Sequence, residues 1–135
     1  MKNIFLLILL LFIIPVSYAN ININDITPKT YNLGDKISLS GFVLRENSFN
    51  GFFKVDLKCQ ESSIPLISRV LAISANERYT FSDEITIPNI LTGTCNLNVF
   101  LEENSKIIEE KISNEFLISK ELKGNFILVN SKVQL

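Results

Sequence analysis

Residues 52–59 read FFKVDLKC, and residues 95–103 read CNLNVFLEE. In the first stretch Phe53, Val55, Leu57 and Cys59 alternate with Lys54, Asp56 and Lys58. In the second, Cys95, Leu97, Val99 and Leu101 alternate with Asn96, Asn98 and Glu102. A strand points successive side chains to opposite faces, whereas a helix returns an apolar residue every third or fourth position. Both stretches are therefore expected to be strands with one buried and one wetted face.

The same period continues outward in both directions. In KISLSGFVL (36–44), Ile37, Leu39 and Val43 share a face opposite Ser38 and Ser40. In YTFSDEITI (79–87), Tyr79 and Phe81 hold one face, and Ile85 and Ile87 resume it after a polar break at Ser82–Glu84. Turn-forming residues separate these runs: Leu33-Gly34-Asp35, Asn47 to Gly51, Ala75-Asn76-Glu77, Pro88-Asn89, Thr92-Gly93 and Asn104-Ser105. Further strands are expected near 21–27, over 65–74, and over 106–112 resuming at 116–119 after Ser113-Asn114. No amphipathic helical stripe interrupts them. The expectation is an all-β, antiparallel seven-stranded sandwich.

Ahead of the strands stands MKNIFLLILLLFIIPVSYAN. Lys2 precedes an unbroken apolar run from Ile4 to Ile14, Pro15 ends it, and Ser17-Tyr18-Ala19 supplies small residues of the kind a signal peptidase reads. The run is shorter than the ~20 residues of a spanning helix. A signal-peptide helix over 1–19 with cleavage after Ala19 is expected, an uncleaved anchor being the alternative; only this segment would touch a membrane. The chain is then exported, to a cell surface, an envelope or the medium. The 20–119 stretch forms the sandwich domain and 120–124 a short linker. NFILVNSKVQL (125–135) is the possible first strand of a second, truncated domain, or a closing edge strand of the first.

The full chain of 135 residues carries 13 basic and 14 acidic side chains, a net charge of −1 that becomes −2 when Lys2 leaves with the leader. So balanced a chain has no basic field for nucleic acid. It contains no histidine, which removes the commonest general base and the commonest metal ligand together. Two cysteines are too few for a thiolate zinc site, and the five glycines form no phosphate loop. No cofactor or catalytic residue is assigned.

Both cysteines lie in phase with core positions. The end of the 52–59 strand would lie beside the start of the 95–103 strand if the two are antiparallel neighbours, so a Cys59–Cys95 bridge within one sheet is expected; two buried free thiols are the alternative. Glu102 and Glu103 face Glu109 and Glu110 across the hairpin at Asn104-Ser105. Four carboxylates could form a weak cation cluster for Ca²⁺, or only a solvated hairpin. Phe49, Phe52 and Phe100 fall off the core face or in a loop, and Phe52 with Phe100 could make an exposed patch for a partner, or pack under the 61–74 segment or a following domain.

The stretch YNLGDKISLSGFVL, through Tyr31, Gly34-Asp35, Ile37, Leu39 and Gly41, resembles the approach to the second strand of immunoglobulin-like, fibronectin type III-like and macroglobulin-like modules. With GFFKVDLKC and SNEFLISKEL, the chain over 20–120 is similar to modules arrayed in secreted, archaeal surface proteins. It lacks their tryptophan, has no cysteine in 36–44, and has Gly93 where antibody-type domains place a tyrosine before the second cysteine. The resemblance implies a noncatalytic structural, adhesion or recognition module that spaces or displays a cell-surface protein, meeting a protein or glycan partner and a following domain of the same chain. An accessory binding domain of a larger exported enzyme is the other reading.

Overall fold

The computed structural model describes residues 19–120. The leader helix, the 125–135 strand and nearly all of the 120–124 linker expected above lie outside the described residues.

The described chain is all-β. Its strands are β1 (Ala19–Ile23), β2 (Thr30–Asn32), β3 (Lys36–Arg45), β4 (Phe49–Cys59), β5 (Ser62–Ile73), β6 (Arg78–Thr86), β7 (Gly93–Glu103), β8 (Lys106–Ile112) and β9 (Phe116–Ser119). They form a three-stranded sheet ordered β1-β3-β6 and a larger sheet ordered β2-β9-β7-β4-β5, with β8 also on β7. Among the described residues no helix is long and apolar enough to cross a membrane.

Alternation explains how the two sheets meet. Ile37, Leu39 and Val43 of β3 and Phe81 and Ile85 of β6 point inward from the small sheet. Phe53, Val55, Leu57 and Cys59 of β4 and Cys95, Leu97, Val99 and Leu101 of β7 answer from the large one. Phe53 and Phe81 meet across the gap with ring centroids 5.0 Å apart. Burying a side chain of this size contributes about 1.5–3 kcal/mol before the cost of ordering it.

Among the described residues, the expected seven antiparallel strands are corrected to nine, with one parallel pair. The last expected strand is two, because β9 pairs with β7 over Gly93–Cys95 and β8 pairs with it over Asn98–Glu103. The missed strand, β2, has three residues and runs parallel to β9, with Thr30 beside Leu117 and Asn32 beside Ser119. Three residues are too few to show an alternation; only a partner 87 positions away makes Asn32 part of a strand.

The leading strand is Ala19–Ile23 rather than 21–27. Beyond it Ile26 is fully buried and is held by a side chain in place of a strand. The Asn114 amide oxygen accepts from the Ile26 N–H at 2.7 Å, and its amide nitrogen donates to the Ile26 carbonyl at 3.1 Å. Asn114 stands in the break between β8 and β9, so one amide ties the start of the fold to its end.

The turns are as tight as their residues allow. Asn104 and Ser105 both take positive φ, 50° and 62°, and close a two-residue hairpin between Glu103 and Lys106. Gly34, at φ 82°, allows the turn in which the Asp35 N–H donates to the Asn32 carbonyl at 3.0 Å.

Candidate functional site

Cys59 ends β4 and Cys95 stands directly opposite it on β7. The two are joined by a disulfide, with their Cα atoms 4.1 Å apart. That spacing belongs to the narrow, non-hydrogen-bonded kind of antiparallel pair, where side chains approach most closely. Both cysteines are buried. The bridge lies within the larger sheet, joining two strands that already pair.

The four glutamates expected near the β7–β8 tip are not brought together. Among the described residues, no group of three or more His, Cys, Asp or Glu side chains could hold a metal ion. Adjacent residues on a strand point to opposite faces, and three of the four carboxylates have separate hydrogen-bond partners. Glu102 accepts from the Lys54 ammonium at 2.8 Å. Glu103 accepts from the Asn50 backbone N–H at 3.3 Å, and Glu110 from the Asn98 amide at 3.4 Å. Glu109 faces the opposite way, opposite Leu101. Burial pushes its carboxyl above the ordinary carboxylate range, with the nearby Arg45 and Lys111 charges pulling it back.

The expected aromatic patch is half right in its geometry. Phe52 and Phe100 do lie on adjacent strands and on the outer face of the larger sheet, where Phe52 faces Glu102 and Phe100 faces Lys54. Phe52 is 43% exposed, but Phe100 is only 7% exposed. In register, Phe100 stands between Lys54 on one side and Glu110 on the other. Long charged side chains lay their apolar stems over such a ring. The Lys54 ammonium sits 5.5 Å from the Phe52 ring centre while holding Glu102. Phe49, expected off the core, is buried within it, because β4 starts two residues before Gly51 and carries Phe49 in phase with Phe53.

The apolar neighbour of Phe52 on the outer face is instead Val70, and Ile112 is exposed separately, level with Asn98. Val70, on β5, is 72% exposed and faces Phe52 directly. Ile112, on β8, stands opposite Asn98 and is half exposed. Alternation within 65–74 marks Val70 as facing away from Leu71, but only the sheet order puts it beside Phe52.

Arg69 and Asp83 were also illegible as a pair. The Arg69 guanidinium donates twice to the Asp83 carboxylate, at 2.8 and 3.0 Å, and spans from β5 of one sheet to β6 of the other. It lies 4.7 Å from the Phe53 ring centre. The hydrogen bond to Asp83 holds the Arg69 proton more tightly than usual.

Fold and surface together define a small all-β module, stapled across two neighbouring strands by one buried disulfide. No protein-family model and no curated protein matches the chain. Among solved structures it is similar to part of the β-glucosidase of Listeria innocua, with a TM-score of 0.53 at 15% identity over 79% of this chain and 17% of that one. It is similar to part of a Paenibacillus cycloisomaltooligosaccharide glucanotransferase, with a TM-score of 0.58 at 10% identity over 78% and 15%. The sporulation control protein Spo0M of Bacillus subtilis gives 0.52 at 14% identity over 76% and 50%. These likenesses show the fold alone. The chain spans about a sixth of the first two proteins' lengths.

Proposed function

We propose that the chain is a noncatalytic exported module with an immunoglobulin-like sandwich, spacing or displaying a cell-surface protein and offering a recognition surface to a protein or glycan. The buried Cys59–Cys95 bridge carries this reading. Disulfides persist in oxidising compartments, and the signal-like leader would deliver the chain to one. The charged side chains support it as well: Lys54–Glu102, Arg69–Asp83 and Lys36–Glu84 are matched to one another across strands, as a scaffold would use them. The same fold occurs in a glucosidase, a glucanotransferase and a sporulation control protein, and a fold so widely used confers no particular chemistry.

Mass spectrometry of the protein recovered from its producing cell tests the proposal. The expected species begins at Asn20, lies outside the cytoplasm, and has a mass two hydrogens below that of the dithiol. A full-length cytoplasmic chain with two thiols open to labelling would sink it.

The alternative role, an accessory domain of a larger exported enzyme, is favoured by one observation. In the β-glucosidase and the glucanotransferase the similar portion occupies only 17% and 15% of the chain. Sequencing the gene through its stop codon separates the two: repeated sandwiches favour the spacer, a catalytic domain the accessory role.

A further inference from the structure

Among the described residues, β1, β2, β5, β6 and β8 each pair on one side only. A bare strand edge invites another strand, and short length, charge, proline or a bulge normally discourages it. β1 and β2 are short. β6 carries Arg78, Asp83 and Glu84, and β8 carries Lys106, Glu109, Glu110 and Lys111. β5 is twelve residues long, and its one charge, Arg69, is already bound by Asp83.

The backbone of β5 is aimed as well as bare. Cys59 and Cys95 form a narrow pair, so Cys59 turns its N–H and C=O away from β7 and toward β5. By alternation Gly51 and Phe53 do the same, and their partners Leu71 and Arg69 point back at them. Ser68, Val70 and Ala72 therefore direct their N–H and C=O groups to the unpaired side. Pro65, which has no N–H to offer, precedes the register shift in this ladder. The regular segment beyond that shift runs from Ile67 to the strand's end at Ile73, and its midpoint is Val70.

We propose that β5 is a self-association edge: two copies of the chain pair antiparallel through Ile67–Ile73 about a two-fold axis at Val70. In this register Val70 faces Val70, Arg69 faces Leu71, Ser68 faces Ala72 and Ile67 faces Ile73. No like charges meet, and Pro65 falls opposite a residue beyond the end of the other β5. On the outer face the row Phe52–Val70 joins its copy into a continuous apolar band, Phe52–Val70–Val70–Phe52, which shelters Val70, 72% exposed in the single copy. A second copy is the fitting occupant because this register sets the only charge of the edge, Arg69, against an apolar residue and keeps Pro65 outside the shared ladder. Such an edge complements itself when turned around.

Analytical ultracentrifugation of the chain from Asn20 onward, bridge intact, tests this. The wild type is expected to show a monomer–dimer equilibrium, and Val70→Lys, which sets two ammonium groups face to face, to be monomeric with an unchanged circular dichroism spectrum. Facing residues of a hydrogen-bonded pair have Cα atoms about 5.5 Å apart, within disulfide reach. Val70→Cys should therefore oxidise to a covalent dimer while Ser68→Cys, opposite Ala72, should not; this contrast decides the matter even if the lysine variant unfolds. A wild type that stays monomeric at all concentrations overturns the proposal, as does a dimer indifferent to Val70→Lys. Equal cross-linking at 68 and 70 also overturns it, as does a monomer that accepts only other peptides at β5. None of these outcomes bears on the proposed export or display role.

Discussion

Asp83 occupies a position that strand alternation assigns to the core, between Phe81 and Ile85, and the structure answers its charge from the other sheet. Arg69 holds an equally inward position on β5, opposite Phe53, and the two close one open side of the sandwich with a doubly bonded pair. Replacing Asp83 with Asn leaves a half-buried guanidinium without its anion, and should cost about 1–3 kcal/mol in urea unfolding. An unchanged midpoint would mean that the pair is ornamental. Glu109 sets a pH dependence. Its carboxyl is raised above the ordinary 4.5 by burial, so the folded chain holds that proton more tightly than the unfolded one. Stability therefore falls as pH climbs from below 4.5 through the raised value, and remains lower above it. Glu109→Gln should raise the unfolding midpoint at neutral pH and leave it nearly unchanged below the carboxylate range. A variant less stable at neutral pH would show that attraction to Arg45 and Lys111 outweighs burial.

The pair of strands β4 and β7 is the central element, since each has partners on both edges. Their bridge closes a loop of sequence separation 36. On the chain-entropy account it contributes roughly 4 kcal/mol by restricting the unfolded chain. Cys59→Ala with Cys95→Ala should lower the denaturant midpoint by up to that amount without changing the circular dichroism spectrum, because the two strands still pair over their full length. The inward faces of these strands were readable from alternation, and every such residue from Phe53 to Cys59 and from Cys95 to Leu101 is buried. The start of β4 was not readable. Gly51 belongs to a turn by composition, yet it lies within the strand, where a side chain would strike the Glu102 carbonyl and the Phe49 ring. Its missing Cβ serves a close approach between strands, and the turn-like signal hid Phe49 from the core.

At the scale of the whole molecule, the two ends of the described chain are tied together. β2 pairs with β9, the Ser119 hydroxyl donates to the Asn32 side-chain oxygen at 2.7 Å, and Asn114 holds Ile26. Ending the chain at Glu115 should thus expose Thr30–Asn32 as well as the β7 edge. Amide exchange would show protection lost at Leu33, whose N–H donates to the Ser119 carbonyl, while β3 and β6 keep theirs. Retained protection at Leu33 would show that β2 is held by its own turn. Such long-range pairing also places folding in the slow, milliseconds-to-seconds class.

The sequence by itself determined the all-β class, the inward faces of the central strands with both cysteines on them, and the tight hairpin at Asn104-Ser105. Each of these is a matter of period two or of local turn geometry, which neighbouring residues specify alone. Only the tertiary structure decided that β2 exists, that Phe100 is covered, that the four glutamates go separate ways, that the two cysteines meet, and that β5 is left as a long edge whose one charge is already bound. Those outcomes depend on which strand lies beside which, and residues far apart in the chain settle that together.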